Sequence, residues 1–188
     1  FLPQLTVGFS DIEILRFPII DENEWKFMAD EKIDEFSNLI LNEKPKIILL
    51  TSPDNPTSKV LSDEFIKKTL EAVKKVGGFL IIDFAYKELV YEDKLPSYFP
   101  WPPSDNLILL RSNSKWCRGL GRRLGWIEAP KFVINAMESI QSSTILCPDT
   151  LHQMALTKFI NDSIENNMLT DYISDTKKMY KHAAKKNN

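Results

Sequence analysis

The sequence predicts an α/β protein in which a mostly parallel sheet is covered by helices on both faces, a three-layer αβα arrangement. Three observations predict it. Residues 46–51, 79–83 and 107–110 are short and almost continuously apolar, as strands buried on both faces are. An amphipathic helical pattern precedes the first of these runs and another separates it from the second, the alternation expected of a layered α/β fold. Polar residues with chemical potential, Asn55, Asp83 and Lys115, fall at or just past the ends of the apolar runs, where open α/β sheets bind their ligands.

Taken in order, residues 5–20 read as an extended segment, with Ile12, Ile14 and Leu15 feeding a strand that ends near Pro18. Residues 30–41 have helical spacing at Ile33, Phe36 and Ile40, with Asp30 as the N-cap, and Pro45 ends that helix. The strand at 46–51 delivers Pro53-Asp54-Asn55-Pro56. Ser62 caps a helix whose apolar face is Phe65, Ile66, Leu70, Val73 and Val76, and Gly77-Gly78 closes it. The strand at 79–83 follows. A proline- and aromatic-rich loop over 95–103 leads to the strand at 107–110, and residues 123–128 form a further short strand. Pro130 opens a helix through Ser139, Asp149 another through Ile160, and residues 168–184 a last one. That helix runs into a lysine-rich tail, most simply a solvated face.

Composition narrows the function classes. A chain of 188 residues makes one good domain, and its formal net charge of −2 leaves no basic excess for nucleic acid. No apolar run reaches membrane-spanning length, and nothing resembles a signal peptide. Cys117 and Cys147 follow neither metal nor disulfide spacing, and with two histidines no metal site is expected. Reduced, cytoplasmic residence is the default reading, and Asn161-Asp162-Ser163 is then a chance match to a glycosylation sequon.

The chemistry gathers around Lys115. It closes the run Ser112-Asn113-Ser114-Lys115 behind an apolar strand and is answered by Arg123 eight positions on. An amine at a strand end, with hydroxyls before it and a guanidinium after it, suits an aldehyde cofactor that carries a phosphate. Lysine attacks a carbonyl as the neutral amine, so such residues sit where burial or nearby cations favour that form. Pyridoxal phosphate also needs a phosphate anchor, an anion at its pyridine nitrogen and donors to its phenolate oxygen. Ser112, Ser114 and Arg123 match phosphate oxygens, Asp83 can face the ring nitrogen, and Tyr86 and Asn55 can donate to the phenolate. Singly, each has an ordinary reading: a solvated lysine, a capping aspartate, a packed tyrosine, an Asn-Pro turn. Asn-Pro-Thr, Asp-x-Ala-Tyr, Ser-x-Ser-Lys and Arg-Leu-Gly in that order, each at a strand end or start, point elsewhere.

On these motifs the chain resembles the class I/II aminotransferases of the fold-type I pyridoxal-phosphate enzymes, from about Pro3 to its end. The resemblance implies that Lys115 is the Schiff-base lysine and later the base that moves the substrate's α-proton. It implies Asp83 at the pyridine nitrogen, Tyr86 and Asn55 at the phenolate oxygen, and Ser112 and Arg123 at the phosphate, with Ser114 where the family often has serine. The implied activity is amino-group transfer from an amino acid to a 2-oxo acid by a homodimer. The alternatives are a lyase or decarboxylase of the same fold, or an inactive fragment lacking substrate-binding elements. By the same resemblance, residues 1–145 are a portion of the cofactor-binding large domain and 146–188 are helices leading into an incomplete small domain. A family strand expected before Phe1 would then lie between strands present here, leaving inner edges unpaired. Ser58 stands in place of a glycine, Asn113 in place of an apolar residue, and Arg118 adds a cation that reads as a surface residue or as a handle for an acidic substrate group.

Overall fold

Asp21 sets the first local structure. The computed structural model describes residues 12–91, 95–100, 104–118, 121 and 123–186. In it, the Asp21 carboxylate accepts the backbone N–H groups of Asn23 (2.8 Å) and Glu24 (3.1 Å), bonds that hold its carboxyl below the usual range. This turn joins two-residue strands β1 (Ile20–Asp21) and β2 (Lys26–Phe27), paired antiparallel. No strand forms over residues 12–18, contrary to the sequence expectation; the rest of that expected segment lies outside the described residues.

Helix α1 (Ile33–Glu43) begins later than its spacing suggested, with Lys32 at the N-cap and no side-chain cap. Asp30, the expected cap, is occupied elsewhere: its carboxylate accepts the Ser62 hydroxyl at 2.5 Å. Helix α2 (Asp63–Val76) starts as expected, with Ser62 Oγ accepting the Phe65 N–H at 3.1 Å. It ends at Gly77, whose φ of +68° is left-handed backbone that glycine enters without steric penalty.

The sheet consists of β3 (Ile47–Thr51), β4 (Phe79–Asp83), β5 (Leu107–Ser112) and β6 (Gly125–Glu128), hydrogen-bonded in that order. The first three are parallel, and β6 runs antiparallel to β5. The strands are neighbours in chain order, so no missing strand separates them. Side chains alternate between faces: Ile48, Leu80, Ile82, Leu107 and Leu109 are buried in one core with Phe36, Ile40, Phe65, Ile66, Leu70 and Val73 of α1 and α2. Phe36 and Phe65 stack at 5.3 Å across the two helices. On the other face Ile47 is 59% exposed and Leu49 38%.

Three helices follow, α3 (Lys131–Thr144), α4 (Thr150–Glu165) and α5 (Leu169–Lys186), with α3 and α4 running past their expected ends. Phe132 of α3 meets Phe79 with ring centroids 6.0 Å apart. Among the described residues no helix is long and apolar enough to cross a membrane. The fold class is therefore α/β with a mostly parallel sheet, as the apolar runs implied.

Candidate functional site

Three parallel strands end on the same edge of the sheet, and an antiparallel neighbour begins there. That rule brings the candidate residues together. Thr51 lies opposite Asp83, Asp83 opposite Leu110, and Ser112 opposite Gly125. Asn55 follows β3 on this edge, Asp83 ends β4 with Tyr86 just beyond, Ser112 ends β5 ahead of Ser114 and Lys115, and Arg123 lies two residues before the start of β6.

Asn55, Tyr86 and Lys115 form a contiguous group. Asn55 Nδ2 donates to Tyr86 Oη at 3.4 Å, and Lys115 Nζ lies 5.2 Å from the centre of the Tyr86 ring. Asp83 Oδ1 accepts the Ala85 N–H at 2.9 Å, which fixes the turn that carries Tyr86. Ser112 Oγ accepts the Ser114 N–H at 3.2 Å, so one candidate hydroxyl shapes the turn holding the other. Lys115 is half-buried between two buried residues, Ser114 and Trp116. Arg123 is exposed, with φ +46°, and is not drawn into contact with the other candidates. Arg118 has φ +53° and faces helix α5: Nη2 donates to Thr176 Oγ1 at 3.2 Å and the guanidinium lies 5.2 Å from the Tyr172 ring centre.

Several residues that support this edge were not singled out by the sequence pattern. Asp54 accepts the hydroxyls of Thr51 and of Thr57, the latter at 2.6 Å, and so clamps the loop that presents Asn55. Ser52 Oγ accepts the Leu61 N–H (3.1 Å) and pairs with Tyr98 Oη (2.6 Å), which donates to the Leu61 carbonyl (2.8 Å). Burial pushes the Tyr98 phenol far up from its ordinary value. Lys87 Nζ donates to the Phe99 carbonyl at 2.8 Å between the rings of Phe84 and Phe99; burial, then the Arg111 charge, pushes its ammonium down. Arg111 binds Glu128 through Nε (2.8 Å) and Nη2 (3.3 Å), tying β5 to β6. Asn113 is wholly buried and its Nδ2 meets His152 Nε2 at 2.8 Å. Apart from the Asp54 clamp, whose partners lie three positions to either side, these hydrogen bonds join residues nine or more positions apart, and of them only Asn113, standing in place of an expected apolar residue, carried any signal.

Chemically, the edge offers a carboxylate, an amine against a phenol and a carboxamide, two hydroxyls and a guanidinium. This donor set fits a phosphorylated aromatic aldehyde: Asp83 at a ring nitrogen, Asn55 and Tyr86 at a phenolate oxygen, Ser112, Ser114 and Arg123 at a phosphate, Lys115 at the aldehyde carbon. Among the described residues no group of three or more His, Cys, Asp or Glu side chains could hold a metal ion. Two surface hollows, of about 650 Å³ along α4 beside Gln153 and Met154 and about 470 Å³ beside Thr57, Val60 and Leu95, contain no candidate residue.

A family model described as aminotransferase class I and II matches residues 6–186. The chain is 28% identical to an aspartate aminotransferase of Thermotoga maritima, over 99% of this chain and 47% of that protein. A crystal structure of aspartate aminotransferase from Thermotoga maritima matches with a TM-score of 0.64 at 30% identity, over 72% of this chain and 37% of that one. A decarboxylase from Sulfurospirillum multivorans matches with a TM-score of 0.70 at 25% identity, over 90% of this chain and 46% of that one. The chain thus spans less than half the length of these relatives.

Proposed function

Because the chain belongs to the aminotransferase class I and II family, we propose that its protein transfers an amino group from an amino acid to a 2-oxo acid, with pyridoxal 5'-phosphate held covalently by Lys115. The observation that carries this reading is the grouping of Lys115, Tyr86 and Asn55 on the edge where Asp83 and Ser112 end their strands. When bound, the cofactor supplies an electron sink for the substrate's α-carbon. Asp83 keeps the ring nitrogen protonated by presenting an anion to it. Asn55 and Tyr86 donate to the phenolate oxygen, and Ser112, Ser114 and Arg123 hold the phosphate. Lys115 Nζ, once the substrate amine has taken its place on the cofactor, would be the base that takes the proton from the substrate α-carbon, and its tether would make that transfer intramolecular.

Residues 1–145 then form part of the cofactor-binding domain and 146–188 lead into a second, smaller one. A homodimer with cytoplasmic residence completes the reading. The similarity to a decarboxylase keeps a second chemistry in view. The two separate by product: a transaminase consumes a 2-oxo acid, whereas a decarboxylase releases carbon dioxide without one.

The test is borohydride reduction of the cofactor-loaded protein followed by peptide mapping. Label is expected on the peptide bearing Lys115, and Lys115→Ala is expected to lose both the label and the absorbance of the lysine-bound cofactor. Label on another lysine would overturn the assignment.

A further inference from the structure

Asn113 has a side chain that packing does not explain. It is fully buried immediately before Ser114 and Lys115, its Nδ2 bonds His152 Nε2 at 2.8 Å, and its equally buried Oδ1 has no partner among the described residues. Turning the amide over exchanges the two atoms and orphans the other, so half of the carboxamide is unsatisfied in either assignment. A leucine would fill similar space without an orphaned polar atom, which is costly to bury. What the amide adds is one directional bond to an imidazole on a different element.

That imidazole is itself held. His152 lies in the first turn of α4, where its N–H is capped by Asp149 Oδ1 at 3.1 Å. The lysine loop is tied a second time at Arg118, through Thr176 and Tyr172 of α5. Helices α4 and α5 are locked to each other by Phe159 and Tyr172, edge to face at 5.0 Å. Loop, α4 and α5 therefore close a triangle with Lys115 in the middle of one side. Asn113 is also the pivot of the turn that displays Lys115, since its carbonyl accepts the Cys117 N–H at 3.2 Å.

We propose that Asn113 and His152 are positioning residues for Lys115: the amide–imidazole bond anchors the lysine turn to α4 and so holds Nζ against Tyr86. The inference rests on the reading of Lys115 as the cofactor lysine. His152 acts only through Asn113.

The test uses His152→Leu, Asn113→Leu, the double variant, and His152→Gln, which keeps an acceptor. Each is first checked for its fold by circular dichroism and thermal melting. Pyridoxal phosphate affinity, borohydride labelling of the Lys115 peptide and hydrogen exchange over residues 112–118 are then measured. Either leucine variant is expected to weaken cofactor retention by about five- to tenfold, the effect of one hydrogen bond, and to speed exchange in the loop. The double variant should be no worse than the weaker single one, and His152→Gln should recover most of the loss. Unchanged retention and exchange in the single leucine variants, additive losses, or glutamine no better than leucine would each overturn the proposal. If the unsubstituted protein is labelled at another lysine, the functional reading fails instead, and loop exchange alone then decides whether the tether exists.

Discussion

Ser58 occupies backbone that most side chains avoid: its φ is +60°, directly after the Asn55-Pro56-Thr57 turn. Glycine enters that region freely, whereas an L side chain there is strained. Ser58→Gly is therefore expected to raise stability by up to about 1 kcal/mol, the relieved strain less the added freedom of the unfolded chain. A shift of the urea midpoint measures it, and a lower midpoint would mean that the serine side chain contributes more than its backbone costs. Asp83 poses a chemical question at the same scale. If Asp83 faces the ring nitrogen as proposed, Asp83→Asn removes a charge-assisted hydrogen bond, worth about 1.5–3 kcal/mol, yet leaves the proposed phosphate ligands untouched. Turnover should fall by orders of magnitude while the cofactor is retained; near-normal turnover would assign Asp83 to the turn it makes with Ala85.

Between elements, the β5–β6 seam adds to its backbone ladder a close approach at Gly125 and the Arg111–Glu128 ion pair. A Cβ built at Gly125 would lie 2.6 Å from the Arg111 carbonyl oxygen, a backbone atom with no room to yield. Gly125→Ala should cost about 1–3 kcal/mol as overpacking does, and should disturb Ser112, which lies opposite it. Thermal melting measures the loss. The Arg111 guanidinium beside Glu128 holds that carboxyl below its usual value. A depressed carboxylate contributes stability that is present above the ordinary glutamate range and is lost as pH falls through the folded value. Glu128 is 46% exposed, so the effect is at most about 1 kcal/mol. Melting from about pH 6 to about pH 3 should show a shallower acid decline for Glu128→Gln than for the unsubstituted chain. Elements with several turns of periodicity, α1 and α2, were legible in the sequence, as were the apolar strands. Strands β1 and β2 were not, because two residues carry no alternation. Asp30 misled for a related reason: its helix-capping chemistry is real, but Ser62, more than thirty positions on, claims it.

For the molecule as a whole, β4 is hydrogen-bonded on both sides, as is β5, whereas β3 and β6 each have one partner strand among the described residues. Amides of β4 and β5 should exchange slowest and those of β3 and β6 sooner, measured by hydrogen exchange with mass spectrometry. Uniform protection across all four would mean that both edges are covered. The candidate site was legible at this scale because parallel strands deliver their ends to one edge, so motif order translated directly into proximity for Asn55, Asp83, Tyr86, Ser112 and Lys115. Arg123 and the Asn113–His152 contact were harder to foresee, since each depends on how a loop turns rather than on where a strand ends. The burial of Trp116 beside Lys115 has an optical consequence. Of the four tryptophans, Trp101 lies outside the described residues, while Trp25 and Trp126 are 80% and 42% exposed, against 6% for Trp116. In a Trp101→Phe chain, aqueous iodide should extinguish the emission of the exposed pair and spare Trp116, and a near-ultraviolet chromophore bound one residue away would then drain that remaining light by energy transfer, giving the chain its own fluorescent gauge of occupancy.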